Sequence, residues 1–178
     1  MKLYVVTEGE VDRSLIEAVM DFAKLDLPVN VFGSGSRSNA PSLARSVKID
    51  RRQPIALAVD ADSVNERLIA ETKDSLNFYM RMAGPPVPVK IVLFEPEIEA
   101  AVLAIPAAAR LLLGRDLDPV EKATLRSTPK DVLRENGVSQ EALIEKSAEL
   151  APHLTEAQGF RDLIEFARSL VQPMAQAA

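Results

Sequence analysis

The chain has 178 residues, a formal charge of −5 and 47% hydrophobic residues, with no Cys, no Trp and a single His. That length suits one compact domain, and the apolar content argues against a disordered chain. Zero Cys and one His exclude disulfide scaffolds, thiolate zinc sites, Cys nucleophiles and poly-His metal sites, so any metal must sit on oxygen ligands. No apolar run reaches the roughly 18 residues of a membrane helix. The first residues enter a strand pattern directly, without the apolar core of a signal peptide, so a cytoplasmic protein with no membrane partner is expected.

In chain order, four apolar runs predict buried strands: Leu3–Val6, Val29–Phe32, Ile55–Val59 and Val89–Phe94. Their Val, Ile, Leu and Phe show little alternation, as in a parallel sheet covered on both faces. Helical spacing separates them. Val11–Leu25 places Leu15, Ile16, Val19, Met20 and Ala23 on one face, Ala40–Val47 follows a Gly/Ser loop, and Val64–Met82 is long and amphipathic. From Pro96 onward the chain reads helical, with starts at Asp118-Pro119, Thr128-Pro129 and Ser139, and a capping-box pattern at Thr155 and Gln158. The expected fold is α/β: a Rossmann-like, mostly parallel four-stranded sheet flanked by helices, with an all-helical C-terminal extension. Residues 1–100 form the expected core and 101–178 the extension packed on it. The net charge divides similarly, since residues 1–94 are neutral overall and residues 95–178 carry all of the −5. Residues 173–178 are expected to fray.

Three acidic motifs follow strands: Thr7-Glu8-Gly9-Glu10-Val11-Asp12, Asp60-Ala61-Asp62-Ser63 and Glu95-Pro96-Glu97-Ile98-Glu99. Ligands of open parallel sheets bind beyond the carboxyl ends of the strands, so the three can converge. Asp60 and Asp62, two apart in extended backbone, point to one side. Glu8 and Asp12 share a face if the first helix begins by Glu8. Carboxylates brought together raise one another's pKa unless a cation compensates, and Mg²⁺ or Mn²⁺ is the natural choice for oxygen ligands. A plainer reading stands beside this one. Thr7 with Glu10 and Ser63 with Glu66 match capping boxes, and Glu97 and Glu99 flank a helix start where acids favour the dipole. Asp60 resists it, because an acid ending so apolar a run needs a partner.

Cationic ground lies between the second and third strands. Residues 37–52 contain Arg37, Arg45, Lys48, Arg51 and Arg52 against Asp50 alone. With the hydroxyls and backbone N–H groups of the Gly33–Ser38 loop, Ser36 among them, they are candidates for phosphate contact. The alternative is a mobile connector with Asn39 capping the next helix and Arg51-Arg52 as a solvated turn. His153, remote from the acids, is expected at the surface. The Leu111–Leu113 and Leu163–Phe166 clusters suit helix packing or a homodimer surface.

Glu8-Gly9 after the first strand and Asp60-Ala61-Asp62 after a later one resemble the TOPRIM domain of topoisomerases, bacterial primases and overcoming-lysogenization-defect (OLD) nucleases. The Glu8-Gly9-x-x-Asp12 form is closest to the OLD-type nucleases. The Gly33-Ser34-Gly35-Ser36 loop and the Pro96–Ala100 run also resemble small stand-alone TOPRIM proteins of phage-defence systems. The resemblance covers about the first 100 residues and implies a TOPRIM-like core. It implies that Glu8, Asp60 and Asp62 are catalytic and hold one or two Mg²⁺ or Mn²⁺ ions, with Asp12 and Glu97 or Glu99 completing a second site. Metal-dependent phosphodiester hydrolysis of nucleic acid would follow, with Ser36, Arg37, Arg45 and Lys48 as nucleic-acid contacts. No tyrosine region of topoisomerase kind is recognisable: Tyr4 lies in a strand and Tyr79 in a helix. The alternative is a metal- or nucleotide-binding regulatory subunit that acts only with a partner such as an ATPase.

Overall fold

The computed structural model describes residues 1–82 and 84–171. Four strands, β1 (Leu3–Thr7), β2 (Val29–Gly33), β3 (Ile55–Asp60) and β4 (Val89–Phe94), form one sheet in the order β2-β1-β3-β4. Every neighbouring pair is parallel. Between them run α1 (Glu10–Phe22), α2 (Ala40–Arg51) and α3 (Glu66–Arg81). Among the described residues seven further helices follow: α4 (Ile98–Leu103), α5 (Pro106–Leu113), α6 (Pro119–Thr124), α7 (Pro129–Glu135), α8 (Gln140–Glu145), α9 (Ser147–Leu154) and α10 (Gln158–Val171). The chain is thus an α/β protein with a Rossmann-like parallel sheet and a helical C-terminal region. None of the described helices is long and apolar enough to cross a membrane.

The sheet divides the apolar residues by strand parity. Leu3, Val5, Ala56, Ala58, Val92 and Phe94 face one core with α1 and the C-terminal helices, whereas Val6, Ile55, Leu57, Val59 and Ile91 face another with α2 and α3. Successive strand residues point to opposite faces, so a strand covered on both sides must be apolar throughout. All six residues of β3 are buried. The C-terminal helices pack on α1 and β4: α8 and α9 lie along α1, and α10 along β4. The ring of Phe160 meets that of Phe94 at 5.1 Å between centroids, and a side chain at Gly159 would strike the Phe94 ring. Leu112, Leu163 and Ile164 are buried in this core, with Leu111, Leu113 and Phe166 packed against it. His153 is exposed. Residues 173–178, expected to fray, lie outside the described residues.

Several helix starts differ from expectation. The first helix begins at Glu10 with Gly9 as its N-cap, so Glu8 precedes it and shares no helix face with Asp12. Asp12 instead turns back, its Oδ2 accepting from Gly9 N at 2.8 Å. The third helix is capped by Asn65, whose side chain accepts from the N–H groups of Arg67 and Leu68, and Ser63 supports that turn by accepting from Asn65 N. The second helix continues to Arg51 and stops at Arg52, which takes a left-handed φ of 53°.

Candidate metal centre

Parallel strands bring all three acidic motifs to the carboxyl edge of the sheet. Their loops are pinned together by backbone pairing that continues past the strands: Ala61 N donates to Phe94 O at 2.8 Å and Asp62 N to Pro96 O at 2.9 Å. A cis peptide joins Glu95 and Pro96, and Asp62 adopts φ +50°. A non-glycine residue in that region is uncommon, and such backbone persists where its surroundings fix it. Here the Pro96 carbonyl holds its N–H, and the Arg37 guanidinium forms an ion pair with its carboxylate.

Asp60 is the buried centre. Its Oδ1 accepts from Ile98 N at 2.9 Å, which leaves Oδ2 facing the crevice. Glu8 reaches across from the end of β1, its Oε1 accepting from Asp60 N at 2.9 Å. Glu97 holds the N-cap position of α4 without a side-chain capping bond, and Glu99 in the first turn is buried. Asp60, Asp62 and Glu97 each offer a carboxylate oxygen, and these three atoms lie within 4.8 Å of one another. They form an acidic set that can hold a metal ion. Glu8 stands beside that set, and Asp12 lines the same 430 Å³ cavity as Glu8, Asp60 and Glu99.

Lys130, from the start of α7, enters the same space. Its Nζ lies 3.3 Å from Glu97 Oε1, 3.6 Å from Asp60 Oδ2 and 3.8 Å from Glu99 Oε2. Nothing in the strand-end motifs points to this residue. Its one sequence signature is a cation in a first helical turn, where the dipole disfavours positive charge. The ammonium neutralises the carboxylates only in part. Burial, followed by the charges of Asp12 and Glu99, pushes the Asp60 carboxyl up to about 8. Burial likewise lifts Glu99 to about 7, and it raises Glu8 and Asp12 as well. Burial pulls Lys130 down, but Glu99, Asp60 and Glu97 together outweigh that effect and leave its pKa raised. Glu97 Oε2 and Glu99 Oε2 are buried without a hydrogen-bond partner. Buried carboxylate oxygens without donors are what a hard cation satisfies.

The expected cationic contacts separate. Ser36 lines the acidic cavity, and Arg37 donates to Ala61 O at 3.4 Å besides pairing with Asp62. Arg45 instead lies 5.1 Å above the Tyr79 ring, against α3. Lys48 as a nucleic-acid contact is corrected: it is 3% exposed, and its Nζ donates to Met80 O at 2.7 Å. The physical reason is direction. α2 starts at the carboxyl edge and runs back along the sheet at about 1.5 Å per residue, so each later residue lies farther from the site.

Compared with known proteins, the chain matches no family model and no curated protein.

Proposed function

We propose that this protein is a divalent-metal-dependent phosphodiester hydrolase of TOPRIM type, acting on nucleic acid with Mg²⁺ or Mn²⁺. The observation that carries the proposal is the convergence of Asp60, Asp62 and Glu97 oxygens within 4.8 Å at the carboxyl edge of a parallel sheet. Oxygens on opposite sides of a cation stand about two metal–oxygen distances apart, roughly 4–5 Å for hard divalent ions. An all-oxygen set in a chain without Cys selects such ions over softer metals. When bound, the ion polarises a phosphoryl oxygen and activates water.

The residues divide the remaining work. Asp60, held through Oδ1 by the Ile98 N–H, presents Oδ2, and Asp62 and Glu97 close the set from adjoining loops. Glu8, anchored through Oε1 and raised in pKa, is suited to carry a proton at Oε2 and release it to a departing oxygen. Lys130 balances the negative charge of the carboxylates and of an arriving phosphate.

A specific observation favours a second reading, a metal- or nucleotide-binding subunit that works only with a partner such as an ATPase. Lys130 and Arg37 already occupy carboxylates of the site, as in a centre held inactive until another protein rearranges it. One experiment separates the two. Labelled DNA and RNA, single- and double-stranded, are incubated with native protein and with Asp60→Asn, with Mg²⁺, Mn²⁺ or EDTA. Metal-dependent cutting by the native protein alone is expected. No cutting, with Mn²⁺ binding retained by calorimetry, transfers the proposal to the partner-dependent subunit.

A further inference from the structure

A second, larger hollow adjoins the acidic cavity. Its volume is about 780 Å³, within the range of small-molecule sites, and it lies between the 36–41 segment and the Leu68–Leu76 stretch of α3. Ser36 lines both cavities, and Arg37 lines the larger one with its guanidinium on Asp62 of the acidic set. The walls are mostly apolar surface and hydroxyls, with one carboxylate, Glu71, which is paired with Arg67. Val59, Pro41, Leu68 and Leu76 supply apolar surface, whereas Ser38, Thr72 and Ser75 supply hydroxyls. Leu68 is 52% exposed there.

We infer that this groove receives the nucleoside next to the phosphate held at the acidic centre, so that the substrate is a single strand or an unpaired end. The inference rests on the proposed hydrolase reading and names its substrate class. A nucleoside fits the mixed walls: its base has apolar faces, and its edges and sugar carry hydrogen-bonding atoms that match hydroxyls. Arg37, the cation lining the groove, stands where the groove meets the acids, which is where the linking phosphate of such a ligand would pass. A base inside a duplex is stacked and paired and cannot enter a side groove without extrusion, whereas a single strand presents its bases freely.

The absence of native Trp makes the test direct. Leu68→Trp places one fluorophore in the groove, and Phe22→Trp places one on α1, where Phe22 is 47% exposed and outside the groove. Both variants are titrated with a single-stranded oligonucleotide and with its blunt duplex in Ca²⁺, a hard oxygen-ligated ion that can fill the acidic set and let the linking phosphate approach. Saturable quenching of the Leu68→Trp variant by the single strand is expected, at least tenfold tighter than by the duplex and absent from the Phe22→Trp variant. Ser75→Trp, an exposed position that fills the groove, should weaken single-strand binding at least tenfold in an anisotropy assay while leaving Mn²⁺ binding unchanged. Equal quenching in both fluorescent variants, equal affinity for duplex, or unchanged binding by Ser75→Trp overturns the inference. Quenching without metal-dependent cleavage would retain the groove and remove the hydrolase. Cleavage without quenching would do the reverse.

Discussion

The Nζ of Lys130 stands 3.6 Å from Asp60 Oδ2, which joins the end of the third strand to a helix seventy residues later in the chain. A cation from the helical region thereby completes an acidic centre built by the sheet. Removing one partner of an ion pair leaves the other's charge unbalanced, at about 3–5 kcal/mol when both are buried. Lys130 is half exposed, so solvent reduces that figure. Lys130→Met should therefore destabilise the metal-free protein by about 1–2 kcal/mol in urea titration at pH 8. The same variant should bind Mn²⁺ more tightly by calorimetry, since a competing positive charge has gone. Unchanged or weaker Mn²⁺ binding would count against the competition.

Asp60 separates two kinds of loss. Asp60→Asn keeps an oxygen to accept from Ile98 N but removes a buried charge whose pKa stands near 8. It should stabilise the metal-free fold by on the order of 1–2 kcal/mol at pH 8 while abolishing Mn²⁺ binding. Asp60→Ala also loses binding but leaves the Ile98 N–H unpaired, at about 1–3 kcal/mol. Melting curves for the two variants should fall on opposite sides of the native curve.

The acidic centre also sets a pH dependence. Asp60 and Glu99 rise from ordinary values of 3.8 and 4.5 to about 8 and about 7 on folding. The folded form then holds more protons than the unfolded form between about pH 4 and pH 8, so stability falls as pH rises through that window. The contribution is complete below the unfolded values and lost above the folded ones. Glu121, lowered to about 2 by Arg115, acts in the opposite sense but only below its ordinary 4.5. In EDTA, the melting temperature at pH 5.5 should exceed that at pH 8.5. Mn²⁺ affinity should run the other way, because the ion takes the deprotonated carboxylates. A melting temperature that climbs with pH in EDTA would remove the protonated acids from the account.

Arg37 and Lys48 lie eleven residues apart and should behave differently. Arg37→Gln should lower the salt dependence of oligonucleotide binding by about one unit of slope. Lys48→Met should leave that slope unchanged and instead destabilise the fold, because Lys48 is buried and satisfies the Met80 carbonyl. Equal loss of slope in both variants would return Lys48 to the nucleic-acid face.

The sheet was legible because apolar runs of four to six residues, with helical spacing between them, have few alternatives to a covered parallel sheet. The observed strands extend the expected ones only by the residues that open the loops: Thr7, Gly33 and Asp60. The meeting of the acids was legible for the same reason, since parallel strands end on one edge. Which acids share closest approach was not. Asp62 and Glu97 join Asp60 through loop pairing at Phe94 and Pro96, a contact that no local spacing announces. Lys130 was hidden more deeply, because its position depends on how α7 packs against α4. Arg45 and Lys48 read as free charge because composition records a charge and not the direction in which its helix runs.

The burial of α1 beneath α8, α9 and α10 has a consequence for how this chain is made. Ribosomes deliver about 5–20 residues per second, so on the order of 4–15 s separate the end of β4 from the end of α10. Until α8 and α9 are made within that interval, Leu15, Ile16 and Val19, all fully buried in the finished protein, lack the C-terminal helices that cover them. Until those helices follow, this face of α1 exposes apolar surface that the finished protein buries. Synthesis stalled before Gln140 would release a chain whose α1 lacks α8, α9 and α10 and whose uncovered face invites proteolysis.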